Sequence, residues 1–162
     1  MALGTGYTGS TRDTGVSNRA PGYRRPMDII DPGAIELSEA WQDGIDGARW
    51  RSATGTTPNR GARASGSSVL EVEPGCRLPR HTDSAEETIV VLAGRALVQV
   101  GADEAEVPAG GLALVPQDVP HEVRNMGDET LRFLALYASA DVVTRYEREV
   151  QPDGARERRP LG

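Results

Sequence analysis

Apolar and polar residues alternate in short runs along most of the chain, and Gly, Pro, Asp or Asn breaks the runs at intervals of roughly ten residues. The runs are Met27–Ile30, Ala48–Ser52, Ser67–Glu73, Glu87–Ala93, Ala96–Gly101, Ala105–Val107, Leu112–Val115, His121–Asn125 and Leu131–Tyr137. Leu37–Trp41 suits either a strand or one helical turn. Turn signals stand between them at Glu73-Pro74-Gly75, Ala93-Gly94, Pro108-Ala109-Gly110-Gly111 and Asn125-Met126-Gly127-Asp128. No stretch of helical period separates two of these strands, so parallel βαβ units are not supported. The pattern predicts an all-β, antiparallel closed or double-sheet fold.

The ends of the chain differ from the middle. Residues 1–26 are rich in Gly, Thr, Ser and Arg and have little to bury, and QPDGARERRPLG at the C-terminus looks similar. The expected organisation is a flexible tail over 1–26, one barrel with flanking strands over 27–150, and a second flexible tail over 151–162. A length of 162 residues allows one domain and makes two unlikely to fit.

Composition narrows the function. The net charge of −6 disfavours a nucleic-acid partner. No apolar run reaches the about 20 residues of a membrane helix, and no signal region opens the chain. A cytoplasmic location, without membrane or nucleic-acid contacts, is the expectation. The single cysteine, Cys76, excludes an intramolecular disulfide and a multi-cysteine metal site. All 18 basic residues are Arg, which removes Schiff-base lysine chemistry and suggests a GC-rich, bacterial source.

The chain has two histidines, His81 and His121, both in strand-like surroundings. In an extended segment His81 and Asp83 point to one face, Glu87 keeps that parity, and Glu86 faces away. If the shared face is the barrel interior, two imidazoles and one or two carboxylates meet in an apolar cavity, and a divalent cation would offset their burial. Taken locally, a surface His and a solvated Glu86-Glu87 pair explain the same residues.

The spacing is specific. Gly75-CRLPR-His81-Thr-Asp83-SAE-Glu87-TIVVLA-Gly94 resembles the first motif of the cupins, with Asp83 where that motif has its second His. Gly110-GLALV-Pro116-Gln-Asp118-VP-His121-EVR-Asn125 resembles the second, with Asp118 in place of the middle Gly. The resemblance covers roughly residues 27–140 with the strand pattern included, and implies a jelly-roll, or double-stranded β-helix, barrel. It also implies metal-ligand roles for His81, Glu87 and His121, and places Asp83 where a third imidazole is usual. Asp83 then either ligates, hydrogen-bonds a metal-bound water, or marks a lost site.

The implied cofactor is one divalent ion per chain, iron first, with manganese, zinc, nickel or cobalt possible. The implied activity is metal-dependent chemistry on a small organic molecule, with non-haem iron oxidation (a dioxygenase-like oxidoreductase) ahead of a lyase, isomerase or dehydratase. A non-catalytic binding barrel is the reading from another class. Glu86 and Tyr137 are the candidate catalytic residues for proton transfer, a small molecule is the partner, and a homodimer packing through residues 27–52 is expected. Trp41 and Trp50 are expected to cover the barrel, and Arg77, Arg80, Arg95, Arg124 and Arg132 to lie on solvated faces.

Overall fold

In the computed structural model, residues 28–161 are described. They form β1 (Ser38–Trp41), β2 (Arg49–Thr54), β3 (Gly66–Val72), β4 (Arg77–Asp83), β5 (Glu87–Ala93), β6 (Arg95–Val100), β7 (Asp103–Pro108), β8 (Leu112–Val115), β9 (His121–Asn125), β10 (Leu131–Tyr137), β11 (Thr144–Val150) and β12 (Ala155–Arg158), with one 3-10 turn at Pro58–Arg60. Among these residues no helix is long and apolar enough to cross a membrane.

The strands make two six-stranded sheets, ordered β1-β2-β3-β10-β5-β8 and β12-β11-β4-β9-β6-β7. All strand pairs are antiparallel. The sheets face each other as a jelly-roll sandwich over one aliphatic core. Phe133, Ile89, Leu131, Val72 and Val123 are fully buried there. Each contributes roughly 1.5–3 kcal/mol of transfer free energy relative to an exposed side chain.

The alternation along β5 and β10 explains the packing. Ile89 and Val91 point inward with Glu87, and Phe133 and Ala135 point inward with Tyr137. Gly94 and Gly110 adopt left-handed backbone angles, φ 78° and 84°, in the β5–β6 and β7–β8 connections. Asn125 closes a third turn, donating to the Val72 and Glu129 carbonyls and accepting from Gly127 N–H.

Three expectations change. Met27 lies outside the described residues, and 28–30 is not a strand because the Asp31 side chain accepts from Gly33 N–H and turns the chain at Pro32. β4 is absent from the runs above because Pro79, which donates no ladder bond, sits inside it, and the β4–β9 register shifts there. Residues 151–161 are no tail: β12 pairs with β11, and Leu161 is 4% exposed against Gly66. Their charges are those of an outward-facing edge strand, seen in the Arg145–Glu157 and Arg158–Asp153 pairs. The expected tail over 1–26 lies outside the described residues.

Candidate metal centre

Strand register assembles the site. β4 and β9 are neighbours with His81 opposite His121. On the other side of β4, β11 sets Thr144 opposite Asp83 and Tyr146 opposite His81. Glu87 opens β5 in the facing sheet, opposite Tyr137 of β10. His81, Asp83, Glu87 and His121 are all buried, and each offers a ligand atom within 4.8 Å of the others.

Hydrogen bonds to the backbone fix both imidazoles. His81 Nδ1 lies 2.7 Å from the Pro79 carbonyl oxygen and His121 Nδ1 lies 3.0 Å from that of Val119. A carbonyl only accepts, so each Nδ1 carries hydrogen and each Nε2 of a neutral ring turns a lone pair inward. His121 Nε2 then sits 3.0 Å from Glu87 Oε2 and 3.5 Å from Asp83 Oδ2, while His81 Nε2 sits 3.7 Å from Asp83 Oδ2. Lone pairs face lone pairs. Asp83 Oδ2, Glu87 Oε2 and His121 Nε2 are buried with no hydrogen-bond partner.

Such an arrangement requires positive charge at its centre. Without a metal ion only a proton can supply it. Burial pulls the His121 pKa down, but bonding to Asp83 and Glu87 outweighs this and raises it to about 10. Burial and the His121 charge push His81 down to about 4. Burial raises the Glu87 carboxyl; for Asp83 burial acts the same way, but His121, His81 and Thr144 together hold it below the usual range. Two imidazole nitrogens and two carboxylate oxygens fit a divalent ion of borderline or hard character.

The Asp83 carboxylate is divided between two tasks. Thr144 Oγ1 donates to Oδ1, which leaves Oδ2 within the donor set. Neither Thr144 nor β11 was legible as part of the site.

A cavity of about 790 Å³ opens on His81 between the two sheets. Tyr137, Tyr146, Thr144, Ser68, Leu70 and Trp50 line its inner part. Burial pushes both phenols above their ordinary pKa, with the Glu87 and Asp83 charges adding to it, so both stay protonated. Tyr137 is therefore at the site as expected. Glu86 is not: it is exposed in the turn after β4, since the parity that turns Glu87 inward turns Glu86 out. Trp50 departs from expectation by lining the cavity, where it stacks on Tyr146 at 5.6 Å, and Tyr146 lies 5.2 Å from the His81 ring. The arginines that reach the cavity are Arg60, Arg158 and Arg159, none of them among those singled out from sequence.

Comparison with known proteins agrees with this architecture. Residues 68–137 match the cupin domain family. No curated protein matches the sequence. Among solved structures, the chain is similar to a Lactobacillus farciminis oxalate decarboxylase in a formate complex, at 22% identity over 56% of this chain and 29% of that one, TM-score 0.53. It is similar to the cupin domain of Schizosaccharomyces pombe Cnp3, at 18% identity over 67% and 72%, TM-score 0.56. It is also similar to a Bacillus subtilis oxalate decarboxylase with Mn(II) centres, at 25% identity over 62% and 28%, TM-score 0.51. The chain spans less than a third of the length of these decarboxylases. Both motifs thus stand on two antiparallel sheets, and residues 68–137 at the centre of the chain match the cupin domain.

Proposed function

We propose that the protein is a metal-dependent enzyme acting on a small organic molecule, with oxidation at an iron centre as its reaction. The observation that carries the reading is the buried set of His81, Asp83, Glu87 and His121, whose unpartnered atoms face one another beside an open cavity. A site lost to mutation has no reason to keep four buried, mutually facing donors, each of which costs free energy when it is left unpaired. When bound, a divalent ion supplies Lewis acidity, and iron with open positions also supplies a route for dioxygen chemistry.

The chain's own groups have separable tasks. The Pro79 and Val119 carbonyls hold the imidazoles in one tautomer, and Thr144 orients Asp83. Tyr137 and Tyr146 keep their protons and offer hydroxyls to a ligand in the cavity. Trp50, Leu70 and Leu78 supply the apolar wall that limits water. The placement of the two phenols favours a second reading, a lyase or isomerase in which protonated Tyr137 or Tyr146 donates to negative charge that develops on the substrate.

The test is elemental analysis of protein purified without chelator or a nickel column, beside His121→Ala, followed by an oxygen-consumption screen. About one equivalent of iron per chain, lost in the variant, supports the oxidation reading, on the expectation of one ion for one donor set. Zinc or manganese lost in the same way moves the assignment to the lyase or isomerase class. No metal in either protein after reconstitution leaves a binding barrel. A cytoplasmic homodimer is the setting this reading keeps. The exposed Leu112 and Leu114 on edge strand β8 support self-association, and a monomer mass at micromolar concentration would end that part of it.

A further inference from the structure

The charges around the cavity restrict what can enter it. With both Nδ1 hydrogens committed to backbone carbonyls, His81 and His121 are neutral ligands, and Asp83 and Glu87 contribute two negative charges. A divalent ion brings the sum to zero. A third imidazole at position 83, as in the usual motif, would leave a net positive charge; Asp83 removes it.

The cavity wall does not restore that charge. Arg60, Arg158 and Arg159 line it, and each already holds a carboxylate, from Asp28, Asp153 and Asp141 respectively. Arg158 Nη2 is further committed to the Val150 and Gln151 carbonyls, and its Nε is buried without a partner. Glu36, Asp153 and Glu157 line the same cavity, three acids against three bases. Closest to the metal donors the surface is uncharged, with the hydroxyls of Tyr137, Tyr146 and Ser68 beside Trp50, Leu70 and Leu78.

From this balance we infer that the centre takes an uncharged, oxygen-bearing organic molecule and discriminates against small dianions such as oxalate. The ligand's oxygens meet the metal and the phenols, and its carbon skeleton lies along Trp50 and Tyr146. The inference rests on the metal-centre reading above and adds the ligand's class. It separates this chain from the oxalate decarboxylases that share its fold.

The experiment uses the full chain loaded with Mn(II), titrated by calorimetry with dihydroxyacetone as the neutral chelating probe and with oxalate as the dianion. Free Mn(II) is followed by EPR, so that removal of the ion is not counted as binding. The expected result is oxalate affinity at least about tenfold weaker than that of dihydroxyacetone, a modest share of what one unit charge a few ångström away can exert. In Asp83→His, which returns the positive charge, oxalate affinity rises at least about tenfold on the same grounds. Wild-type protein that binds Mn(II) but takes oxalate as tightly as the neutral probe, or takes neither, overturns the inference alone. If the Asp83→His protein does not fold, the wild-type comparison still decides. Wild-type protein that holds no divalent ion removes the metal reading and this inference with it.

Discussion

Removal of the Thr144 hydroxyl tests whether the metal centre depends on a strand outside the cupin motifs. Thr144 faces Asp83 across the β11–β4 ladder, both side chains are buried, at 5% and 2% exposure, and Thr144 Oγ1 donates to Asp83 Oδ1. Thr144→Val keeps the branched shape and deletes only the donor. A hydrogen bond to a charged group contributes about 1.5–3 kcal/mol, and its loss leaves a buried carboxylate oxygen unpaired. Part of that cost falls on the fold, because Asp83 is buried with or without metal. The rest falls on affinity, because a freed carboxylate no longer keeps Oδ2 aimed at the centre.

Metal affinity in Thr144→Val should drop by about 10–100-fold, the range usual for partners that orient a metal ligand. Calorimetric titration with Mn(II) and Zn(II) measures it, and thermal denaturation of the metal-free protein measures the structural share. Thr144→Ser retains the hydroxyl and should recover most of the loss. Equal affinities for wild type and Thr144→Val would refute the argument. A Ser variant as weak as the Val variant would assign the effect to the methyl group's packing instead.

Three further outcomes follow from the same structure. Asp118 holds a left-handed backbone, φ 58°, where the motif has Gly; Asp118→Gly should stabilise the protein by about 0.5–1 kcal/mol in urea denaturation, and a loss would contradict the strain assignment. Leu161→Ala should cost about 2–3 kcal/mol, because the side chain is buried against β3; an unchanged melting temperature would return residues 151–162 to the status of a tail. Stability of the metal-free protein should fall on both sides of neutrality. His81, lowered to about 4, loses its contribution as pH falls from 6.5 towards 4, and His121, raised to about 10, loses its contribution as pH rises from 6.5 towards 10. Metal replaces the His121 proton, so Mn(II) should raise the melting temperature more at pH 9 than at pH 6, and the opposite ordering would reject the proton–metal exchange.

The parts of the fold that were readable are those whose burial alternates with apolar residues between Gly or Pro stops. β5, β8, β9 and β10 begin and end at the residues expected from the pattern, Glu87–Ala93, Leu112–Val115, His121–Asn125 and Leu131–Tyr137. The four donors were readable for the same reason, since period-2 parity decides that Asp83 and Glu87 turn in and Glu86 turns out. β11 and β12 were not. Their outward positions carry Arg and Glu, and only Thr144, Tyr146 and Val150 look inward at wide intervals, too few to outweigh the charged residues between them. The signal available was Thr144 and Tyr146 themselves, two residues apart and separated by Arg145, but period 2 over three residues is too short to specify a strand. Thr144 and Tyr146 were missed with the strand, and Trp50 was misplaced because nothing local indicates which aromatic residue meets a cavity.

The two departures from the cupin motifs are joined in the structure. Asp118 N–H donates to the Asp83 carbonyl at 2.9 Å, so the unusual left-handed residue of the second motif bonds the backbone of the unusual acid of the first. The following residue, Val119, gives the carbonyl that holds His121 Nδ1, which places one ligand's tautomer and another ligand's main chain under control of the same loop. On the far side of Asp83, Thr144 takes the side chain. Asp83 is thus gripped at its backbone by the 116–120 loop and at its carboxylate by β11, while a single oxygen is left facing the other donors. A carboxylate is shorter than an imidazole and has two equivalent donors, so replacing His with Asp in a rigid barrel shifts the donor and gives it a choice of oxygen. The two grips remove that choice. On the proposed reading Asp83 is one donor of this site, and its effect on function is to be sought in the charge it brings to the centre.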